Sequence, residues 1–328
     1  MASRRHFVLI LGAHAVAWPS ASLGEQAAKR LPLVAFVGLD SADDPSLLEA
    51  FRERLHQHGY EEGVRVRLTA PSLGDQYEQL REALGELVRS KVDLIVTRGS
   101  TATNYARSMT ETIPIVMVAG IDPVKAGFAV SLAHPGGNVT GVALGSQDLA
   151  GKRLEIVRDV VPGLTRVGLL VNPESRSSMA SAKEAEAAAR ALRLELYTAE
   201  VRTSAEFEPA FGHLVKAGVG AVFPTPSTMF AAHLGQIAQI ARRHRLPTIS
   251  SVARYVDAGG LMAYGTDQAD ACRRAADYVA RILQGARPGD LPIEQPITLE
   301  FVINLKTAKA LGVQVPQSVL LRATRVIQ

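Results

Sequence analysis

The sequence predicts an α/β fold of two similar lobes, each built around a parallel β-sheet. Three observations point there. Short apolar runs of strand length alternate with longer segments whose apolar residues recur at helical spacing. The alternation runs through once by about residue 123 and restarts near Leu149. Between the two rounds lies Pro135-Gly136-Gly137-Asn138-Val139-Thr140-Gly141, rich in residues that suit unusual backbone angles. That segment reads either as a first crossing between lobes or as an ordinary surface loop. Strands that alternate with helices of this length pair in parallel and carry helices on both faces.

The first round begins with the strand Leu33 to Val37, followed by the loop Gly38-Leu39-Asp40-Ser41. Pro45 to His58 is helical, with Leu47, Leu48, Phe51 and Leu55 on one face and Gly59 as a stop signal. Val64 to Leu68 alternates like a strand, and Gln76 to Ser90 is again helical. Leu94-Ile95-Val96 is a buried strand ending at Gly99-Ser100-Thr101, with a helix running on to about Met109. Ile113 to Ala119 is the next strand, ending at Gly120-Ile121-Asp122-Pro123. In the second round, helices are expected at Leu149 to Val160, Ser175 to Leu192, Phe207 to Ala217 and Met229 to His244. Strands are expected at Val167 to Val171, Leu194 to Glu200, Ala221 to Phe223 and Pro247 to Ile249.

The first residues read as an address. Arg4 and Arg5 precede an apolar stretch, Phe7 to Trp18, and the small residues Ser20-Ala21-Ser22 follow it. This is the order of a secretory signal peptide, expected to end at about residue 26. Ser3-Arg4-Arg5-His6-Phe7-Val8 also loosely matches a twin-arginine export signal. The stretch is shorter than the ~20 residues of a membrane-spanning helix. Export to the periplasm is therefore the expected localisation.

Composition narrows the function classes. Apolar residues make up 47% of the chain, enough for a normal globular core. The formal charge of +4 is spread without a Lys/Arg-rich block, which argues against a nucleic-acid partner. A lone cysteine, Cys272, leaves no intrachain disulfide, and its helical context points to packing. There is no G-x-S-x-G elbow, H-E-x-x-H, Walker A loop or Cys/His metal spacing, and no G-x-G-x-x-G after the first strand. No catalytic residue, metal or cofactor is expected, and an enzyme is disfavoured.

Open parallel sheets bind ligands outside the carboxyl ends of their strands. Those ends carry Ser100, Thr101 and Asp122 in the first round, and Asn172, Ser175, Thr225 and Ser227 in the second. Ser100 and Thr101 open a helix, whose free N–H groups and dipole suit an anion. Asp122 could meet an ammonium or a hydroxyl. Each has a plainer reading as well: Ser100 and Ser175 as helix caps, Asp122-Pro123 as a turn. Together they form a candidate small polar site.

Several blocks resemble a known family. They include Asp122-Pro123-Val124, Ser131 to Gly141, Lys152-Arg153-Leu154-Glu155 and Leu170-Val171-Asn172-Pro173. Ala258-Gly259-Gly260-Leu261-Met262-Ala263-Tyr264-Gly265, Leu291 to Pro296 and Val302 to Gly312 continue the likeness. In these blocks the sequence resembles the ABC-transporter substrate-binding proteins related to the tryptophan-binding lipoprotein type. The resemblance implies a type I periplasmic-binding-protein fold, with two Rossmann-like lobes joined by three crossing segments and ligand held between them. It implies a first lobe of residues 27–138 plus 266–285 and a second of 139–265 plus 286–328. It also implies a monomer that serves an inner-membrane ABC permease with its ATPase. Tyr264, in the plainest block, joins the candidate ligand contacts, as do Asp40 and Ser41 in the loop after the first strand.

Two departures bear on the ligand. Pro224-Thr225-Pro226-Ser227-Thr228 replaces an Asp-Pro followed by aromatics, and the loop Asp40 to Asp44 is unusually acidic. An aromatic ligand is thereby in doubt, and a more polar or cationic one becomes open. Two rival readings remain: a ligand-sensing regulatory domain of the same fold, and an exported α/β enzyme.

Overall fold

The computed structural model describes residues 30–39, 45–73, 76–144, 149–295 and 298–328. The expected leader, together with Asp40 and Ser41, lies outside the described residues.

The first lobe contains, in chain order, β1 (Leu33–Val37), α1 (Pro45–Gln57), β2 (Arg67–Thr69), α2 (Tyr77–Arg89), β3 (Leu94–Arg98), α3 (Ser100–Met109), β4 (Ile115–Ala119) and β5 (Val139–Ala143). The sheet order is β2-β1-β3-β4-β5, with every pair parallel. Side chains alternate along these strands, so one sheet buries two apolar faces. Val34, Phe36, Leu94, Val96, Val116 and Val118 pack with residues of α1 on one side. Ala35, Val37, Ile95, Ile115 and Met117 pack with residues of α2 and α3 on the other. At Gly141, φ is +125°, and an added Cβ would lie 2.4 Å from the Met117 carbonyl oxygen. The close approach of β5 to β4 therefore requires glycine.

The second lobe contains α4 (Leu149–Val160), β6 (Arg166–Val171), α5 (Arg176–Leu192), β7 (Glu195–Glu200), α6 (Phe207–Lys216), β8 (Ala221–Pro224), α7 (Thr228–Ala232), α8 (Leu234–Arg243), β9 (Ile249–Ser250), α9 (Arg254–Asp257) and β10 (Met262–Thr266). The chain then forms α10 (Gln268–Leu283), which lies against α1, β4 and β5 of the first lobe. It returns as β11 (Leu299–Asn304), α11 (Leu305–Leu311), α12 (Gln317–Leu320) and β12 (Arg325–Ile327). A parallel sheet β7-β6-β8 is continued by β9-β10-β11-β12 through a parallel bridge between Val222 and Thr248.

Four features differ from the sequence expectation. β10 and β11 are antiparallel. β10 ends at the rim facing the first lobe, and the chain re-enters from that side after α10, so β11 has to run back the other way. The first lobe also holds more of the chain than expected. β5 is its edge strand, and Val142 bridges Glu294 beyond it, so residues 139–143 and 291–294 belong with the first sheet. Finally, the expected strand at Val64 is bent into a turn by Gly63 (φ +82°), and the N–H groups of Val64, Arg65 and Val66 all donate to the Glu61 carbonyl. The helix expected from Met229 to His244 is likewise interrupted at His233 (φ −120°, ψ 28°), which separates α7 from α8.

Among the described residues, no helix is long and apolar enough to cross a membrane. Nor does any group of three or more His, Cys, Asp or Glu stand ready to hold a metal. Cys272 is fully buried in α10.

Candidate functional site

The parallel strands β1 to β5 of the first lobe and β6 to β10 of the second deliver their carboxyl ends to one rim of each lobe, and the two rims face each other. Two adjoining cavities, each of about 70 Å3, lie between them. One is reached by Arg98, Gly99, Ser100 and Thr101, where β3 passes into α3. The other is reached by Arg153 of α4 and by Ser177, Ser181 and Glu184 of α5. They share Gly120, Leu144, Ser177, Pro226, Ser251 and Gln268, so they form one continuous cleft of mixed polar and apolar lining. No aromatic side chain is among the described residues that line either.

Local geometry explains how α3 comes so close to the second lobe. Gly99 has φ +90° and ψ 149°, and an added Cβ would lie 2.7 Å from Thr228 Cγ2. Glycine alone occupies this backbone region comfortably. Behind it, Thr103 Oγ1 donates to the Gly99 carbonyl and meets Thr97 Oγ1 at 2.9 Å, which fixes the first turn of α3.

Hydrogen bonds then tie the lobes together. Ser100 Oγ and Ser177 Oγ lie 2.7 Å apart, both buried. Thr101 Oγ1 donates to the Glu174 carbonyl at 3.2 Å, and the Arg176 N–H points to Thr101 Oγ1 at 3.4 Å. Tyr77 OH meets Ser227 Oγ at 3.5 Å, and burial raises the pKa of the Tyr77 phenol, so it remains neutral. Within the first lobe, Arg98 Nη2 donates to Gln268 Oε1 at the start of α10, at 3.3 Å.

Two buried guanidinium groups dominate the electrostatics. Arg98 is 4% exposed and Arg153 is 3% exposed. Arg153 Nε donates to the Tyr264 carbonyl at 2.7 Å, and its guanidinium lies over the Phe223 ring, 5.4 Å from the centroid. Burial lowers its pKa to about 10, while nearby Glu184 acts in the opposite direction. It is still a cation at neutral pH.

The ten expected site residues are distributed unevenly. Ser100, Thr101, Ser175 and Ser227 line the cleft. Ser175 also caps α5, accepting from the Ser178 N–H. Asp122 stands outside the cavity lining, because its Oδ1 accepts the N–H groups of Val124 and Lys125 in its own turn. Asn172 is buried beneath the rim, where its Oδ1 accepts from the Glu174 N–H. Thr225 is buried too and donates to the Leu170 carbonyl. The ring of Tyr264 packs edge-on against Phe301, 5.9 Å between centroids, and only its carbonyl reaches toward the site through Arg153.

The sequence reading missed Arg98, Arg153, Ser177, Ser181 and Gln268. Arg98 had a signal: a charged residue closing the buried run Leu94 to Thr97, just before a glycine. Arg153 had one too, an arginine among the apolar positions Leu149, Ile156, Val157 and Val160 of one helix face. Ser177 and Ser181 sit in an Ala/Ser-rich helix where small residues fit a packed face equally well.

Comparisons with known proteins agree with this architecture. A conserved domain protein from Vibrio cholerae superposes with a TM-score of 0.84, covering 91% of this chain and 100% of that one at 23% identity. At that identity the likeness speaks for the fold alone. An ABC domain in complex with L-Trp from Streptococcus pneumonia superposes with a TM-score of 0.80 at 26% identity, covering 90% and 99% of the two chains. A tyrosine-binding protein of Clostridioides difficile (strain R20291) is 27% identical over 83% of this chain and 79% of its own. The fold is of the type I periplasmic-binding-protein kind, and the last two of these relatives are a protein named for binding tyrosine and one solved with L-Trp. The family model for ABC transporter substrate binding proteins matches residues 33–327, and the chain belongs to that family.

Proposed function

We propose that the protein captures a small, polar, anionic organic molecule in the cleft between its lobes and presents it, as an exported monomer, to a membrane permease driven by an ATPase. The observation that carries this reading is the cleft itself, built where strand ends and the start of α3 converge and lined by Ser100, Thr101, Ser175 and Ser227. Free N–H groups at a helix start favour a carboxylate. The basic and apolar leader supports export.

An amino acid or a related small acid is the substrate class, since the relatives include a protein named for tyrosine and one holding L-Trp. Cavities of about 70 Å3 without an aromatic wall among the described residues favour a short polar chain over an indole or a phenol. Pockets for drug-sized ligands are ~300–1,000 Å3.

The test is a thermal-shift screen of amino acids and small organic acids, followed by calorimetry on the hits. A ligand that binds only the folded state raises the melting temperature, by about 2.7 kcal/mol of added stability at a hundred times Kd. No shift with any amino acid or small acid would remove the support for a cleft receptor of this class.

A further inference from the structure

We propose that the ligand is a short acid whose far end is an uncharged hydrogen-bond acceptor, a hydroxyl or a carboxamide, received by Ser181 and Gln268 in the compartment beside α5. The inference rests on the cleft being the ligand site and goes on to name the substrate class.

Ser181 carries it. The residue stands one helical turn beyond Ser177 on α5 and lines that compartment. It is only 6% exposed, and its Oγ is buried with no hydrogen-bond partner among the described residues. Buried hydroxyls in native proteins are nearly always paired, so an orphan on a cavity wall marks a place where a ligand atom belongs. Its neighbour Ser177 is already engaged, with Oγ 2.7 Å from Ser100 Oγ.

Gln268 points to the same chemistry. It opens α10 and lines both compartments. Its Oε1 accepts from Arg98 Nη2, so the group it can turn to a ligand is the amide N–H pair. A serine hydroxyl donates as well. Two neutral donors call for an acceptor on the ligand.

The charges in this compartment argue that the acceptor is uncharged. Among the described residues that line it, the charged side chains are Arg153 and Glu184, one of each sign. Glu184 acts on Arg153 against the effect of burial, so the two already answer each other. Arg153 is engaged besides with the Tyr264 carbonyl and the Phe223 ring. A ligand charge of either sign would meet one opposite and one like charge, and would shed its water without a net attraction in return. A hydroxyl or a carboxamide has less hydration to lose. At about 70 Å3 the compartment suits a group of that size.

The experiment is calorimetry on the full chain with pairs of similar shape. L-Threonine is set against L-valine, 4-hydroxybutanoate against pentanoate, and L-glutamine against L-glutamate. L-Lysine and L-tryptophan complete the set. The expected result is that the polar, uncharged member of at least one pair binds about tenfold more tightly than its partner, and more tightly than L-lysine or L-tryptophan. The first two pairs identify a hydroxyl and the third a carboxamide. Ser181→Ala is expected to bring the preferred ratio toward one. It should leave the melting temperature of the apo protein unchanged or slightly raised, because it removes a stranded hydroxyl and adds a good helix former. A lower apo melting temperature with the ratio intact would make Ser181 a structural residue and overturn the proposal. So would equal binding within every pair, tightest binding of L-glutamate, L-lysine or L-tryptophan, or no binding of any of the three polar, uncharged-ended probes. In each of those cases another small acid that binds leaves the cleft receptor standing. Only a screen in which no small molecule binds removes both readings.

Discussion

The two walls of the cleft are made differently. The first-lobe wall is shaped by a backbone turn: β3 bends through Gly99 and α3 begins at once, with its N–H groups at the rim beside the Ser100 and Thr101 side chains. The second-lobe wall is mostly side chains, with Ser175, Ser177 and Ser181 along α5 and Arg153 on α4. A backbone wall offers N–H donors and leaves no room for a side chain to vary. A side-chain wall can change its chemistry one residue at a time without moving the helix beneath it. The first wall thus suits the part of a ligand common to many acids, and the second suits the part that differs among them.

The largest effect is expected where the backbone wall is touched. Gly99→Ala places a methyl in a region that disfavours side chains, at a cost of order 1–3 kcal/mol. The same methyl meets Thr228 Cγ2 across the cleft. The melting temperature should fall by roughly 2–4 °C per kcal/mol. Adding Thr228→Ser removes the opposing methyl and should restore only the steric part. Full recovery in the double variant would show that the wall depends on fit rather than on backbone angle. Thermal melting of the three variants decides.

Next comes the bond that joins the walls. Ser177→Ala leaves the buried Ser100 hydroxyl without its partner across the cleft, which costs about 1–3 kcal/mol. Removing both hydroxyls should cost less than the sum of the single changes, since neither partner is then left stranded. A double-mutant cycle by chemical denaturation measures the coupling. Strict additivity would mean that the two walls do not communicate through this pair.

Legibility in the sequence followed the same division. The expected first-round strands at Leu33 and Leu94 and the helices at Pro45 and Leu149 lie close to where the structure has them, because period-2 and period-3.6 patterns report local burial. The antiparallel return of β11 was not legible. It follows from α10 lying on the other lobe, a long-range fact with no local pattern. Within the site, Ser100 and Ser175 could be read as polar residues at strand ends. Arg153 could not be placed, because an arginine on a helix is normally solvated, and only the fold shows that it is enclosed.

Asp122→Ala tests a residue whose motif drew attention but whose contacts are local. Its carboxylate holds the N–H groups of Val124 and Lys125, so its loss should cost about 1 kcal/mol of fold stability. Ligand affinity should be unchanged. A tenfold loss of affinity with unaltered melting would return Asp122 to the ligand-binding wall.

The smallest effect is expected at the rim. Arg176, at the start of α5, reaches Asn104 Oδ1 at 3.4 Å and lies over the Phe128 ring of the first lobe at 5.8 Å. It is exposed, so its guanidinium gives up little hydration, and the hydrogen bond is long. A cation–π contact at such a site is worth ~0.5–1 kcal/mol. These contacts join the two lobes, so Arg176→Ala should act on closure more than on the folding of either lobe. Ligand affinity should fall about two- to fivefold, mainly through faster dissociation, with little change in apo melting. Stopped-flow release of the ligand found in the screen measures this. An unchanged off-rate would show that closure is held by the buried pair Ser100–Ser177 and its neighbours alone. A tenfold or larger effect would place a substantial share of closure at the solvent edge, and the contrast between the two walls would then matter less than the rim that joins them.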